Sequence, residues 1–230
     1  MLAQKFKASG PASVYSSHFL SLFLKFFQSI IKGLAMRIDS TSLDQLFLNA
    51  RSSNGFLDKP VHESLLKEIY DLAKFGPTSM NTQPARFIML TSASAKERIL
   101  PAMSPGNVDK TKSAPAVVIV ASDSEFFEHL PQTFPNKPDA KELFAGNAGL
   151  AQATATRNTT LSGAYFIIAA RALGLDCGPM SGFDAAKVNA EFFADGKHKV
   201  DFILNLGYAD TSKIFPRNPR LSFEQACKVL

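Results

Sequence analysis

Apolar positions recur at helical spacing over two early stretches. From Asp39 to about Arg51, Leu43, Leu46 and Phe47 share a face, and Asp39 to Thr41 offer N-caps. Ser52 to Pro60 interrupts the pattern, and Val61 to Phe75 resumes it with Leu65, Leu66, Ile69, Leu72 and Ala73. Gly76-Pro77 ends that helix, since Gly suits a C-terminal cap and Pro has no N–H to continue the ladder. A loop, Gly76 to Pro84, then feeds the short apolar run Arg86 to Thr91, a predicted strand. Ser94 to Met103 reads as a helix, and Ala116 to Ala121 (AVVIVA) as a β-branched strand buried on both faces. Asp123 to Leu130 predicts a short helix before a Pro-rich loop, Pro131 to Pro138. The longest periodic element, Asn147 to Leu173, is apolar nearly all round from Tyr165 to Ala172, which predicts a buried helix lying against the sheet or at a dimer interface. Gly174 to Phe183 reads as a loop, Ala185 to Phe193 as a helix, Val200 to Tyr208 as an alternating strand and Leu221 to Leu230 as a C-terminal helix. Roughly four strands and seven helices in mixed order predict an α+β fold.

Composition narrows this. The chain has 230 residues, of which 46% are hydrophobic, enough for one sizeable domain. Its net charge of +5 is held by Lys5, Lys7, Lys25, Lys32 and Arg37, all ahead of the first acid, Asp39. The rest is balanced, so a nucleic-acid-binding surface has no support in the body and none is expected. Cys177 and Cys227 lie too far apart in sequence for a disulfide framework or metal motif, and they fit a reducing, cytoplasmic compartment. Residues 1–35 differ in style. Phe19 to Ile31 is apolar but broken by Lys25 and Gln28, and it is too short to span a bilayer. Lys25 and the lack of a clean cleavage site argue against a secretory signal. An amphipathic surface helix, a transit-like presequence, or a disordered extension upstream of a true start at Met36 remain open, and 36–230 is read as the functional domain.

Several chemistries drop out. His18, His62, His129 and His198 are isolated, with no His-x-x-x-His or Cys-x-x-Cys, so no metal site is expected. There is no Gly-x-Ser-x-Gly elbow, phosphate loop or Gly-x-Gly-x-x-Gly, so any bound phosphate must be held by side chains. What stands out is a set of polar loop clusters. They are Ala50 to Phe56 (ARSSNGF), Gly76 to Pro84 (GPTSMNTQP), Asn107-x-x-Lys110 ahead of Ala114-Pro115, Gly178 to Asp184 (GPMSGFD), and Arg217 with Arg220.

Their order and spacing resemble the nitroreductase family of FMN-dependent oxidoreductases over essentially all of Met36 to Leu230. Ala-Arg-x-x-Asn-Gly, Gly-Pro-Thr-Ser, Gly-Leu-Asp-x-Gly-Pro-Met-Ser-Gly-Phe-Asp and Pro-Arg-Leu-Ser-Phe-Glu are similar to the RutE-type malonic semialdehyde reductases of pyrimidine degradation. The resemblance implies a mixed, mainly antiparallel central sheet flanked by helices, with a long buried central helix, in a homodimer with two shared sites. It implies FMN as cofactor and NADPH or NADH as electron donor. Arg51 and Ser52, with Arg217 and Arg220, would clamp the flavin phosphate, and Asn54 would sit near them. Asn107 and Lys110 would reach the pyrimidine edge of the ring. Pro179 and Met180 would pack on a ring face, with Ser181 and Gly182 beside the reactive ring nitrogen. Pro77, Thr78, Ser79 and Asn81 would come from the other subunit. Ala50 and Asn54 stand where relatives commonly carry cations, and Ser181 where many carry an acid, departures that RutE-type proteins share.

The activity so implied is a ping-pong hydride transfer from NAD(P)H to malonic semialdehyde, giving 3-hydroxypropionate, with the chemistry on the flavin and no catalytic side chain identified. A substrate carboxylate needs a cation, and Arg86 and Arg157 qualify by residue type. Broad nitro or quinone reduction, a flavin-binding module without turnover, and a membrane-associated role carried by residues 1–35 are the competing readings.

Overall fold

The structure, a computed structural model, describes residues 37–230; the expectations for residues 1–35 lie outside the described residues. The first helix is shorter than its pattern: α1 (Ser40–Leu43) passes into a single π turn, Asp44–Leu48, that leaves Phe47 half exposed. Helix α2 (Glu63–Ala73) follows, burying Leu66, Ile69 and Ala73 on its apolar stripe. Strand β1 (Ala85–Leu90) leads through α3 (Ala93–Ile99), capped by Ser92, to α4 (Pro105–Ser113), which starts on Pro at a position where no N–H is needed. Strand β2 (Ala116–Asp123) is buried at every position, as its β-branched run predicts.

Asp123 belongs to β2, and the helix expected to run from it to Leu130 is instead a 3-10 turn, Phe126–His129, followed by α5 (Leu130–Thr133). Pro131 sits in the first turn of α5, so the expected loop begins helically. Helix α6 (Ala140–Ala145) precedes α7 (Ala148–Ala172), whose N-cap Asn147 accepts from Leu150 N–H at 2.9 Å. The predicted loop after α7 contains strand β3 (Asp176–Met180); it pairs with β4 at a sheet edge, where Pro179 is tolerated because an edge strand need not donate at every position. Helix α8 (Ala185–Phe192), capped by Asp184, and strand β4 (His198–Gly207) complete the core. The expected C-terminal helix shrinks to one turn, α9 (Phe223–Ala226), held by a Ser222–Gln225 capping box. Cys227 beyond it is extended.

The sheet runs β1-β2-β4-β3, and every pair is antiparallel. The pairings Ala85↔Ser122 and His198↔Asp123 bring the start of β1, the end of β2 and the start of β4 to one end of the sheet; β3 runs toward that end but stops at Met180↔Ile203, level with the middle of β4. Helices α2 and α7 cover one face, where Leu66, Ile69, Phe166 and Ala170 meet Val118, Val120, Leu204 and Leu206. On the other face Ile99 and Val188 meet Val117, Ile119, Ala121 and Ile203. Helix α7 is not buried all round. One side holds Ala155, Asn158, Thr159, Gly163 and Phe166 in the core, and the other leaves Leu161 45% and Tyr165 43% exposed. Among the described residues no helix is long and apolar enough to cross a membrane.

Candidate functional site

Three segments meet where β3 ends. Ser52 bridges Cys177 in parallel, and Ser53 N–H donates to Cys177 O at 2.9 Å, so the ARSSNGF segment lies along β3 as a short outer neighbour. This close approach needs Gly178: a Cβ there would sit 2.7 Å from Ser53 O. Helix α4 docks on the same loop. Asn107 Nδ2 donates to Gly182 O at 2.7 Å, and Ser104 N–H donates to the same oxygen at 3.0 Å. One turn on, Thr111 Oγ1 approaches Met180 Sδ at 3.9 Å and receives the Asn205 amide at 3.5 Å. Two donors therefore fix the Gly182 carbonyl, while the Gly182 N–H has no partner among the described residues.

The cations divide. Arg51 donates to Phe215 O, and Arg217 returns the tie by donating to Leu48 O at 2.6 Å and Ala50 O at 2.9 Å. Arg51 and Arg217 thus stitch the C-terminal segment to residues 48–51. Arg220 is not held in that junction: it bonds Asn218 O and Pro219 O. None of the three, nor Lys110, is within ion-pair distance of a carboxylate among the described residues. Burial holds the Lys110 ammonium below its usual pKa. Half-buried Asn54 adjoins Gly55, over which the Lys213 side chain lies. No local pattern marks Lys213, because only the fold carries its turn, Thr211–Lys213, beside Gly55.

Pro77, Thr78, Ser79 and Asn81 form a second group. Their loop is braced by Ser79 N–H to Asn158 Oδ1 (2.8 Å), Asn81 Nδ2 to Thr133 O (2.7 Å) and Gln83 N–H to Thr78 Oγ1 (3.2 Å). It precedes β1, whereas Gly182 follows β3 at the opposite edge of the sheet, three strand spacings or about 14 Å across. Within one chain the two groups are therefore separate.

Two cavities flank these loops. One of about 420 Å³ is lined by Pro179, Met180 and Ser181 with Thr160, Asp201 and Phe202, and Thr160 Oγ1 donates to Asp201 Oδ2 at 2.8 Å. The other, about 500 Å³, lies along β1 and includes Arg86, Phe87 and His129. Arg86 is already committed there: it pairs with Asp123 at 2.6 Å and donates to Gln83 O and Ala85 O. Arg157 is exposed on α7 and has no ion pair among the described residues. The Cys177 thiol, which faces Ile167 O at 3.9 Å, is pushed up to about 12 by burial, which makes it a packing group.

Residues 48–208 match the Nitroreductase family. A Ralstonia nicotianae protein named "Putative NADH dehydrogenase/NAD(P)H nitroreductase" is 56% identical over 193 residues, spanning 84% of this chain and 98% of its own. One of the same name from Polynucleobacter asymbioticus is 52% identical over 197 residues, spanning 86% of this chain and 100% of its own. Among solved structures, the "putative nitroreductase" ydfN of Bacillus subtilis superposes with a TM-score of 0.76 at 22% identity, over 84% of this chain and 100% of that one. A "putative nitroreductase" from Exiguobacterium sibiricum, solved in complex with FMN, gives 0.74 at 18% identity, over 85% and 100%. At these identities the structural likeness concerns the fold.

Proposed function

The chain belongs to the nitroreductase family, and from that premise we propose that it is a homodimeric, FMN-dependent NAD(P)H oxidoreductase reducing malonic semialdehyde to 3-hydroxypropionate. The observation that carries the cofactor is the loop at Gly182, whose carbonyl is held by Asn107 and Ser104 while its N–H has no partner among the described residues. Such a fixed backbone donor suits a ring nitrogen that gains electron density. The donor set also fits a phosphate dianion: Arg51 and Arg217 meet in one junction and neither has a carboxylate partner among the described residues.

FMN, when bound, supplies the two-electron carrier between NAD(P)H and the acceptor. Arg51 and Arg217, with Ser52 alongside, hold its phosphate. Burial holds the Lys110 pKa down, and a negative group beside it would raise it again and favour its charged form. Pro179 and Met180 offer an apolar platform, and Asn107 keeps the loop beneath them in place. Thr78, Ser79 and Asn81 serve the site of the second copy, since their own Gly182 lies across the sheet. A dimer is supported by the exposed side of α7 and by Phe215, Leu221 and Phe223, which stand exposed on a C-terminal segment that buries nothing.

One observation favours a second reading, a nitro or quinone reductase. Arg86 is occupied by Asp123, and Asp201 lines the cavity beside Ser181, so a substrate carboxylate finds a negative neighbour there. The visible spectrum of the purified protein, before and after anaerobic NADPH and then with malonic semialdehyde or a quinone added separately, tests both. A flavin band that bleaches and recovers faster with the semialdehyde supports the first reading, and faster recovery with the quinone replaces it. A protein that takes up no FMN refutes both.

A further inference from the structure

The described backbone contains three non-glycine residues with φ in the left-handed region, and all lie within four positions: Met80 and Asn81 at 52° and Gln83 at 42°. Each is costly for an L residue, so something outside the loop must hold it in this shape. Two of its bonds cannot, because they run within the loop itself: Gln83 N–H to Thr78 Oγ1, and Gln83 Nε2 to Asn81 Oδ1 at 2.9 Å. Asn81 Nδ2 reaches out to Thr133 O at 2.7 Å, but at an exposed position. The buried brace comes from α7. Asn158, 2% exposed, accepts from Ser79 N–H at 2.8 Å just before the left-handed turn begins. Its Nδ2 donates to Thr154 O at 2.8 Å, which fixes the orientation of the amide; a flipped amide would lose both bonds. An Asn inside a helix costs helix propensity and a desolvated amide, and here the return is a fixed loop.

We propose that Asn158 is a positioning residue of the flavin site: from inside α7 it sets the Gly76–Pro84 loop in the conformation that Thr78, Ser79 and Asn81 need in order to meet the cofactor. This rests on the flavin reading above. Asn158 itself touches no ligand; it acts through the Ser79 amide.

The test uses the full chain. Hydrogen exchange of the Ser79 amide is measured on the cofactor-free protein, and FMN affinity is measured by quenching of flavin fluorescence for the parent, Asn158→Ala, Asn158→Asp and Thr159→Val. In the parent the Ser79 amide is protected. In Asn158→Ala the protection is lost and FMN binds about five- to tenfold more weakly, the worth of one partly buried hydrogen bond. Asn158→Asp keeps an acceptor for Ser79 but loses the donor to Thr154 O, so Ser79 stays protected and FMN binding falls less than in Asn158→Ala. Thr159→Val removes the neighbouring buried hydroxyl, which has no hydrogen-bond partner among the described residues, and leaves FMN affinity unchanged. A Ser79 amide in the parent that exchanges at the unprotected loop rate overturns the proposal whether or not any variant folds. So does an Asn158→Ala protein that has lost protection yet binds FMN as tightly as the parent. A parent that binds no FMN but protects Ser79 refutes the flavin role and leaves the brace itself standing.

Discussion

Gly182→Ala probes the joint between α4 and the end of β3. The left-handed glycines are Gly174 and Gly196, so Ala at 182 meets no backbone strain and its effect is steric. The added Cβ would lie 2.5 Å from Asn107 Nδ2 and 3.4 Å from Ser104 Oγ. Because Nδ2 ends a rotatable side chain, Asn107 swings aside and the backbone stays. What is lost is its 2.7 Å bond to Gly182 O, worth about 1 kcal/mol. That lowers the melting temperature by about 2–4 °C for a domain of this size. Gly178→Ala is the contrast. Its Cβ would meet a backbone oxygen, Ser53 O, at 2.7 Å, and relief requires parting the bridge to Cys177, at about 2–3 kcal/mol. Thermal melts of the cofactor-free proteins by circular dichroism should therefore rank Gly178→Ala well below Gly182→Ala. In an Asn107→Ala background Gly182→Ala should cost almost nothing further, a coupling of about 1 kcal/mol. FMN affinity should fall about tenfold in Gly182→Ala, more than stability suggests, because the displaced amide is at the site. Additive losses in the double variant, or a Gly182→Ala protein less stable than Gly178→Ala, would refute the packing of Asn107 on Gly182.

Lys110, held low by burial, carries its charge below its shifted pKa and loses it above; FMN should bind more weakly as pH rises through that value, at a midpoint under 10.5, and Lys110→Met should flatten the profile. With the Cys177 thiol near 12, only about one in ten thousand copies is thiolate at pH 8, so a chromogenic disulfide should titrate Cys227 alone in native protein and both thiols after denaturation. Leu161→Asp, on the exposed side of α7, should leave the monomer folded but convert a dimer to monomers in sedimentation and release FMN; a dimeric, yellow variant would move the interface elsewhere.

How legible each part was in sequence follows from where its information lies. Strand β2 declares itself, since six consecutive apolar residues specify burial on both faces without reference to a partner. DCGPM does not, because Gly and Pro are poor strand residues and β3 exists through pairing with β4. The long helix was plain from its period, but which side met solvent was not, as its exposed side carries Leu161 and Tyr165 alongside threonines. In the site, the residue types were readable and their joints were not. Asn107 meets Gly182 and Ser79 meets Asn158 across more than seventy positions each, contacts that leave no local pattern. Asn158 reads as one more small polar residue in a helix. Arg86 drew attention for its charge, which Asp123 already satisfies.

The placement of the two polar loops at opposite edges of the sheet has a genetic corollary. If each pocket is completed by two chains, a lesion at Gly182 and a lesion in the Thr78–Asn81 loop damage different halves of it. Two inactive alleles of these kinds, co-expressed in equal amounts and pairing at random, would form mixed dimers in half the cases, each with one pocket free of both lesions and one bearing both. About one quarter of all pockets would then be whole. Two alleles within the same loop would rescue nothing, so a cross between mutants distinguishes a borrowed loop from an owned one without any structure of the dimer.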